Sequence, residues 1–397
     1  MKYYNFPPLN MEEYQKLNSL NNTKKAAIYS SGHIGRQILK LLQSKGIEVI
    51  CFINGPQRSQ TGYSQNIPIC SLSEFSLKTD VEVPIIYCEN HECHETTLRD
   101  YLIIPWYLLF HDQKMTYSEL LKIDPETFCL AQSNHQRFRQ STPISQTQVE
   151  FSYINLCVTQ KCTLKCTHCN HLIPGFKHAV HYEIEQIKQA LHVLFRGVNY
   201  IYKIGILGGE PFLHPQLSEI IEFLLSCPQI GCIEILTNGT ILPNKKQTQI
   251  LKNERIFLRI SDYGIHSNVL KSSIQYFQEN EVLYYVYQDL LWHDYGLSNQ
   301  SHGKSTSELV SQFQQCSSAQ CYHIKGQKLY HCAYSGSIDQ QYLKGYPPIP
   351  AVELINSKIG KQLSKELIQF KKMPYINICD YCYGDCGTPV IAGIQMT

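Results

Sequence analysis

The chain has 397 residues, of which 43% are hydrophobic and 17% charged, a balance typical of globular domains rather than disordered segments. At roughly 150 residues per domain, this length predicts two or three domains. The formal net charge of +2 gives no electrostatic reason to expect nucleic acid or an anionic membrane as a partner. The N-terminus carries no apolar signal segment, and the most apolar run, residues 101–110, is far shorter than the roughly 20 residues of a membrane helix. We therefore expect a cytoplasmic protein.

An α/β domain is predicted over residues 1–130. The apolar strand KKAAIYSSG precedes the helical pattern HIGRQILKLLQSKG and a second strand, IEVICFIN, which together predict a βαβ unit and a parallel sheet. The first turn resembles the G-x-G-x-x-G fingerprint of a Rossmann dinucleotide site, with Ser30 in the first glycine position and Gly32 and Gly35 in the others. Asn54 stands where the ribose-binding acid is expected. The domain also resembles small nucleotide-binding domains of sugar-modifying enzymes, and a nucleotide-sugar, a protein partner or no ligand all stay open.

A second region begins after a polar segment, residues 131–149, which is predicted to be a linker. Strand and helix patterns then alternate about five times over residues 150–305, with short connections. This alternation predicts a parallel barrel, or part of one, with functional side chains at the C-terminal ends of its strands.

Three cysteines, Cys162, Cys166 and Cys169, lie within eight residues directly after the first strand of this region. In a chain with an odd number of cysteines, 17, and no export signal, clustered thiols hold metal or do redox work more often than they form disulfides. Zinc sites draw four ligands from separated pairs, whereas three cysteines on one loop fit three corners of a [4Fe–4S] cluster. The fourth iron then needs a ligand from outside the protein. Fortuitous crowding or a zinc knuckle is the alternative.

The C-x3-C-x2-C loop, together with GGEP at the end of the second strand, resembles the radical S-adenosylmethionine (SAM) superfamily over roughly residues 150–300. The resemblance implies an α/β fold with a partial parallel (β/α)6 TIM-type barrel. It also implies that Cys162, Cys166 and Cys169 hold a [4Fe–4S] cluster whose open iron is chelated by SAM. The reduced cluster then cleaves SAM into methionine and a 5′-deoxyadenosyl radical, which abstracts a substrate hydrogen. An external electron donor such as flavodoxin or ferredoxin is implied as a partner.

The GGEP segment is implied to orient SAM. Gly208 and Gly209 lack a Cβ, so the backbone can approach the ligand and adopt unusual dihedral angles. Glu210 is expected to accept a charge-assisted hydrogen bond from the SAM ammonium group, and Pro211 restricts the turn.

Other residues at matching positions are implied to contact SAM or the substrate. Ser261 or Asp262 is expected at the ribose hydroxyls and Asn238 near the same pocket, although ordinary turn chemistry explains these three equally well. His168 packs beside the adenine or is a solvated loop histidine. The segment WHDYG, residues 292–296, offers substrate contacts or is an ordinary loop.

The C-terminal region, residues 306–397, resembles the auxiliary-cluster extensions known as SPASM and twitch domains. The stretch CSSAQCYHIKGQKLYHC is similar to their hairpin, with Gly326 at the turn and Cys332 ending the return strand one residue later than usual. We predict one auxiliary [4Fe–4S] cluster with four cysteine ligands, for which Cys316 and Cys321 compete for one position. A structural zinc site is the alternative. The candidate ligands are Cys316, Cys321, Cys332, Cys379, Cys382 and Cys386.

Two substrate classes are predicted from the flanking regions. The N-terminal domain favours a sugar or nucleotide-sugar of a glycan pathway. The C-terminal extension favours a peptide, because many relatives that carry it modify ribosomal peptides or protein partners. The N-terminal pattern does not look like a winged-helix precursor-binding domain, so we favour the sugar. A non-catalytic iron–sulfur or zinc scaffold is the third hypothesis.

Overall fold

The structure is a computed structural model. It describes residues 3–5, 9–30, 32–54, 62–78, 83–89, 98, 100–110, 114–139, 149–319, 321–341, 343–355 and 360–396. The chain divides into two compact units, Met1–Gln140 and Ser141–Thr397.

The N-terminal unit is built around a mostly parallel sheet. Within the described residues this sheet has six strands in the order β4-β5-β3-β2-β6-β7, and only the edge pair β4–β5 is antiparallel. The elements are β1 (Tyr3–Asn5), α1 (Met11–Thr23), β2 (Lys25–Tyr29), α2 (His33–Ser44), β3 (Glu48–Asn54), β4 (Gly62–Ser64), β5 (Ile67–Ser71), α3 (Leu72–Lys78), β6 (Ile85–Tyr87), β7 (Ile103–Pro105), β8 (Lys114–Thr116), α4 (Tyr117–Ile123) and α5 (Pro125–Arg139).

The five parallel strands of this unit follow the order third, second, first, fourth, fifth along the sheet. That order belongs to doubly wound nucleotide-binding folds, whose ligands bind where the strand order reverses, here between β2 and β6. A Cβ on Gly35 would lie 2.0 Å from the carbonyl oxygen of Ser30, so α2 packs against β2 at a distance that only glycine allows. Ser30 itself has a φ of 96°, a conformation that favours glycine. Nucleotide binding stays a prediction.

The predicted linker begins inside a helix. Residues 131–139 continue α5 rather than connecting two domains, and residues 140–148 lie outside the described part of the chain. Ser133, Asn134 and His135 are buried, and the side-chain amide of Asn134 donates to the carbonyl oxygen of Leu130 at 2.8 Å. The segment lacks apolar periodicity because the buried face of the helix carries polar side chains.

The C-terminal unit contains a larger sheet. Its elements are β9 (Glu150–Thr159), α6 (Ile184–Leu194), β10 (Tyr200–Gly208), α7 (Leu217–Ser226), β11 (Ile230–Thr237), α8 (Lys245–Leu251), β12 (Ile256–Asp262), α9 (Ser267–Glu279), β13 (Tyr284–Gln288), β14 (Leu291–Asp294), α10 (Thr306–Gln315), β15 (Tyr322–Lys325), β16 (Lys328–Tyr330), α11 (Ala333–Gln340), β17 (Val352–Glu353), α12 (Gly360–Lys371) and β18 (Thr388–Ile391).

The strand order is consistent with the predicted partial barrel of six parallel strands. Five parallel strands, β9 to β13, come from the predicted barrel region, and the sixth parallel strand is β15, which lies beside β9. β14 does not continue this sheet but pairs antiparallel with β18. Among the described strands the sheet β13-β12-β11-β10-β9-β15-β16-β17 does not close into a barrel. The predicted hairpin β15–β16 therefore completes the core sheet instead of forming a separate layer.

The core strands are buried on both faces, as expected for a parallel sheet covered by helices. Every residue of β10 except its last is buried. One polar group of side chains interrupts this apolar interior: Lys203 Nζ lies 3.2 Å from a carboxylate oxygen of Glu234, and the Tyr153 hydroxyl donates to the same carboxylate at 2.7 Å. Within the described residues, no helix combines the length and apolar character needed to span a membrane.

Candidate cluster and cofactor site

The cluster loop, residues 160–172, follows β9 and surrounds its three thiols with N–H donors. The backbone N–H of Leu164 donates to Cys162 Sγ at 3.4 Å. The side-chain amide of Gln395 donates to Cys166 Sγ at 3.3 Å, and that of Asn238 lies 3.7 Å from Cys162 Sγ. N–H groups directed at sulfur stabilise a thiolate, which is the form that binds metal.

The loop thiols lie close enough to oppose one another's ionisation. The pKa of Cys162 is raised to about 12, mainly by burial and also by charge repulsion from Glu210, Cys169 and Cys166, while the N–H of Leu164 lowers it. Burial is also the largest cause of the raised pKa values of Cys166 and Cys169. One buried and two half-buried thiols that repel one another as anions are stabilised together by a cation between them, and coordinating metals deprotonate thiols outright. The loop therefore fits a positively charged metal cluster.

The GGEP turn packs against the start of the cluster loop. A Cβ on Gly208, whose φ is +150°, would lie 2.1 Å from the carbonyl oxygen of Thr159. A Cβ on Gly209 would lie 2.0 Å from the carbonyl oxygen of Lys161. The N–H groups of Gly209 and Glu210 donate to these two carbonyls, each at 2.8 Å. The glycines thus permit a close approach to the cluster loop itself, and any approach to SAM stays a prediction.

Glu210 is fully buried and holds the end of β11. Its carboxylate accepts from the N–H of Phe212 at 3.2 Å, the hydroxyl of Thr237 at 2.9 Å and the N–H of Asn238 at 3.0 Å. Burial raises the pKa of Glu210 to about 7, although these donors act in the opposite direction. Pro211 begins a 3-10 turn behind it. The carboxylate therefore positions the loop around Asn238, and its role toward SAM stays a prediction.

A cleft opens between the cluster loop, the turn after β11, the end of β12 and α9. Two of the predicted cofactor residues, Asn238 and Ser261, line it. Asp262 accepts from the N–H of Gly264 at 2.9 Å and so stabilises its own turn. His168 lies 3.9 Å from a carboxylate oxygen of Asp294 on β14. The full lining is Leu164, Asn238, Gly239, Thr240, Ser261, Tyr263, Ile265, His266, Val269 and Leu270.

Gln395 is a site residue that the sequence did not indicate. Besides donating to Cys166 Sγ, its side-chain oxygen accepts from the N–H of Lys165 at 2.7 Å. The C-terminal strand also bonds the loop through the N–H of Thr167 to the carbonyl oxygen of Ile394 at 2.8 Å. Nothing in the local pattern around residue 395 signals this contact, since it joins segments about 230 residues apart.

Four described thiols of the C-terminal region line a second, largely apolar cavity. The pKa of Cys382 is raised to about 12, mainly by burial and also by repulsion from the charged forms of Cys332, Cys316 and Cys379. Phe313, Ala319, Ile338, Ile376 and Ile378 form a buried core beside them. The arrangement fits one metal centre with four thiolate ligands. The four thiols are those of Cys316, Cys332, Cys379 and Cys382.

The remaining two candidate ligands are placed differently. Cys321 does not line the cavity, and its sulfur lies 3.0 Å from the side-chain amide of Asn155 on β9. The geometry therefore favours Cys316 over Cys321 as the fourth ligand. The side chain of Cys386 lies outside the described residues.

A lysine and a glutamine hydrogen-bond the backbone of two cysteines that line this cavity. Lys304 Nζ donates to the carbonyl oxygens of Cys379 at 3.2 Å and Cys382 at 2.6 Å. The side-chain amide of Gln312 donates to the same carbonyls at 3.1 and 2.9 Å. Both residues lie in a polar stretch before Cys316 that carries no recognisable ligand pattern, so sequence reasoning missed them.

The parallel α/β sheet presents three thiols on the loop after its first core strand, an arrangement that can hold a metal cluster. Residues 156–288, which include the three thiols and the GGEP turn, match the model of the Radical SAM superfamily. The chain therefore contains a radical SAM domain. Domains of this superfamily bind a [4Fe–4S] cluster and SAM.

Two curated relatives are similar to short parts of the chain. The antilisterial bacteriocin subtilosin biosynthesis protein AlbA of Bacillus subtilis is 33% identical over 114 residues, which is 28% of this chain and 24% of the relative. GTP 3′,8-cyclase of Clostridium acetobutylicum is 33% identical over 96 residues, which is 23% of this chain and 28% of the relative. The chain thus matches only about a quarter of the length of these proteins.

Solved structures are more distant. BtrN in complex with AdoMet and 2-DOIA has a TM-score of 0.38 and 16% identity, over 59% of this chain and 94% of that one. Streptococcus suis SuiB bound to S-adenosylmethionine has a TM-score of 0.28 and 19% identity, over 41% of this chain and 36% of that one. At these TM-scores the likeness supports no further conclusion.

Proposed function

We propose that the chain is a radical SAM enzyme. The observation that carries this proposal is the cluster loop, where three mutually repelling thiols and their N–H donors lie inside a radical SAM domain. When bound, the cluster and SAM supply a 5′-deoxyadenosyl radical, formed with one external electron, which takes a hydrogen atom from the substrate. The electron donor is a small redox protein such as flavodoxin or ferredoxin.

The residues of this chain hold and orient both cofactors. Cys162, Cys166 and Cys169 are the cluster ligands, and the N–H groups around them stabilise their thiolate charge. Asn238, held by Glu210, directs its side chain at both Cys162 and the cleft. Ser261 lines the same cleft, where a ribose hydroxyl fits its side chain. Positioning, rather than proton transfer, is therefore the main contribution of the side chains.

The substrate we propose is a sugar or nucleotide-sugar. The strand order of the N-terminal unit supports this class, because the same order holds nucleotides in doubly wound folds. A peptide is the second candidate, and its support is the similarity to AlbA, which is named as a bacteriocin biosynthesis protein. The C-terminal four-thiol centre is compatible with both substrates.

Product analysis tests the catalytic proposal. Anaerobically reconstituted chain, incubated with SAM and a strong reductant, is expected to release 5′-deoxyadenosine and methionine in equal amounts. If an intact, reducible cluster yields no 5′-deoxyadenosine, the chain is an iron–sulfur scaffold rather than an enzyme. Zinc in place of iron on the cluster loop also contradicts the proposal.

Isotope transfer tests the substrate. Deuterated sugars, deuterated nucleotide-sugars and a deuterated peptide pool are supplied separately, and the 5′-deoxyadenosine is examined by mass spectrometry. Deuterium from a sugar ring supports the favoured class, whereas deuterium from the peptide pool alone selects the second candidate. Because SAM cleavage is measured in the same samples, failure of the substrate proposal is distinguishable from failure of the enzyme proposal.

A further inference from the structure

A third group of potential metal ligands lies inside the core sheet, apart from both cysteine clusters. It consists of Cys157 on β9, His323 on β15 and His171 at the end of the cluster loop. Their exposed fractions are 3%, 4% and 9%. The three residues come from separate segments, so only the unexpected pairing of β15 with β9 brings them together.

The ligand atoms are arranged around a common centre. Cys157 Sγ lies 3.9 Å from His171 Nδ1 and 4.0 Å from His323 Nδ1, and all ligand atoms lie within 4.8 Å of one another. Zinc bound to sulfur at about 2.3 Å and nitrogen at about 2.0 Å in a tetrahedron places these atoms about 3.5 Å apart. A contraction of about 0.5 Å along the two sulfur–nitrogen edges accommodates the ion, and the edge between the two nitrogens, at most 4.8 Å long, shortens to about 3.3 Å.

The side chain of Asn155 lies beside Nε2 of His323, the ring nitrogen that does not face Cys157. As placed, its side-chain N–H group lies 3.4 Å from His323 Nε2, whereas its side-chain oxygen is buried with no hydrogen-bond partner among the described residues. When the Asn155 amide is rotated by 180°, its oxygen accepts a hydrogen bond from His323 Nε2, which then carries the proton. The lone pair of His323 Nδ1 is then free to face Cys157. Metal-binding histidines usually donate their other N–H to such an acceptor.

We propose that Cys157, His171 and His323 bind one zinc ion, with a fourth position left for water or a small ligand. Thiolate and imidazole are the ligands that zinc prefers, and three protein ligands plus one open position is a common zinc arrangement. The ion joins the first core strand, the cluster loop and the C-terminal hairpin. It therefore fixes the base of the cluster loop against β15.

A buried lysine holds the hairpin that carries His323. Lys325 lies two residues after His323 on β15, and its Nζ donates to the carbonyl oxygen of Ala333 at 2.8 Å and to the hydroxyl of Ser337 at 2.5 Å. The strand that supplies one proposed ligand is thus anchored on α11.

Zinc analysis of the full-length, iron-reconstituted protein tests the site. We expect about one zinc ion per chain. X-ray absorption at the zinc edge is expected to give one sulfur neighbour and two imidazoles, since iron does not contribute at that edge. A four-sulfur shell places the zinc in the C-terminal cysteine centre instead and overturns the proposal, as does the absence of zinc after stoichiometric addition.

Variants separate this site from general effects on folding. Cys157→Ala and His323→Ala are expected to lose the zinc, whereas Cys232→Ala, which removes an equally buried thiol from β11, retains it. Asn155→Ala should lower zinc affinity roughly 10- to 100-fold in a chelator competition. The iron content of each variant shows whether it has folded. If a variant loses its iron, His171→Gln is measured in its place. Full zinc retention in the ligand variants contradicts the site.

Discussion

The cluster loop and the C-terminal cysteine centre each bring several thiols together, but they draw them from the chain in different ways. The loop draws three thiols from eight consecutive residues, Cys162–Cys169, whereas the C-terminal centre draws four from segments that extend from Cys316 to Cys382. The loop adjoins a cleft with polar side chains, and the C-terminal cavity has apolar walls. Three ligands beside a cleft leave a coordination position accessible, while four ligands in an apolar cavity do not.

The sulfur atoms of the two centres receive hydrogen bonds from different donors. At the loop, side-chain amides from Asn238 and Gln395 reach Cys162 and Cys166. At the C-terminal centre, the backbone N–H of Gly384 donates to Cys382 Sγ at 3.2 Å, while Lys304 and Gln312 bind backbone carbonyls. Hydrogen bonds to sulfur and solvent access both tune a cluster's potential. We propose that the loop carries the reactivity and that the C-terminal centre supplies rigidity or electron transfer.

The largest expected effect comes from removing one thiol at each centre. Cys166→Ala is expected to reduce 5′-deoxyadenosine formation to the detection limit, because a cluster held by two thiols is lost. Cys382→Ala is expected to remove the C-terminal cluster but to leave SAM cleavage without substrate measurable. Mass spectrometry of the 5′-deoxyadenosine product compares SAM cleavage in the two variants. Equal loss in both variants, with the loop cluster still present in Cys382→Ala, contradicts the division of roles.

Local patterns were sufficient to predict the parts of the site that are close in sequence. The radical SAM domain was predicted from the C-x3-C-x2-C loop and GGEP, and the family match confirms it. The alternation of strands and helices likewise predicted a parallel α/β sheet. These features depend on short segments whose side-chain spacing reflects local geometry.

Contacts between distant segments were not predictable. Periodicity identifies β15 as a strand but does not reveal that it pairs with β9. Asn155 and Cys321, which this pairing brings into contact, are 166 residues apart in the sequence. The choice of Cys316 over Cys321 depends on this pairing, because it draws Cys321 toward Asn155. Gln395 reaches the loop through the same kind of long-range packing. Polar residues in α5 also misled the linker prediction, since their burial is decided by tertiary contacts.

A smaller effect is expected when the two competing cysteines are exchanged for alanine. Cys316→Ala should remove about half of the chain's iron, roughly four of eight atoms, because each [4Fe–4S] cluster holds four. Cys321→Ala should retain all of it, since its sulfur contacts Asn155 rather than the cavity. Iron and sulfide analysis with Mössbauer spectroscopy measures both. The opposite result assigns Cys321 as the ligand.

The pH dependence of SAM binding sharpens the role of Glu210. Its pKa of about 7 means that the ionised carboxylate increases as pH rises through neutrality. If the carboxylate accepts from the SAM ammonium, affinity should rise about tenfold per pH unit below that pKa and level off above it. Equilibrium binding to the reconstituted protein from about pH 6 to about pH 8 measures this.

Two variants control this pH experiment. Glu210→Gln should abolish the slope. Thr237→Val should move its midpoint to higher pH, because it removes a hydroxyl donor that stabilises the carboxylate. A flat profile in the unmodified protein limits Glu210 to holding the β11 turn.

The smallest expected effect tests whether the two centres share one electrostatic environment. Burial lowers the pKa of Lys325, while Cys157, Cys332 and Cys169 raise it, so its charge interacts with thiols of both centres. Lys325→Met should make both reduction potentials more negative, by on the order of tens of millivolts, because a cation favours the reduced cluster. Lys328→Met is the matched control, since this half-exposed lysine of the same hairpin pairs with Asp339 and Glu353. Redox titration followed by electron paramagnetic resonance measures each centre. A shift confined to one cluster shows that the centres are tuned independently, whereas equal shifts in the two variants show that the effect is not specific to Lys325.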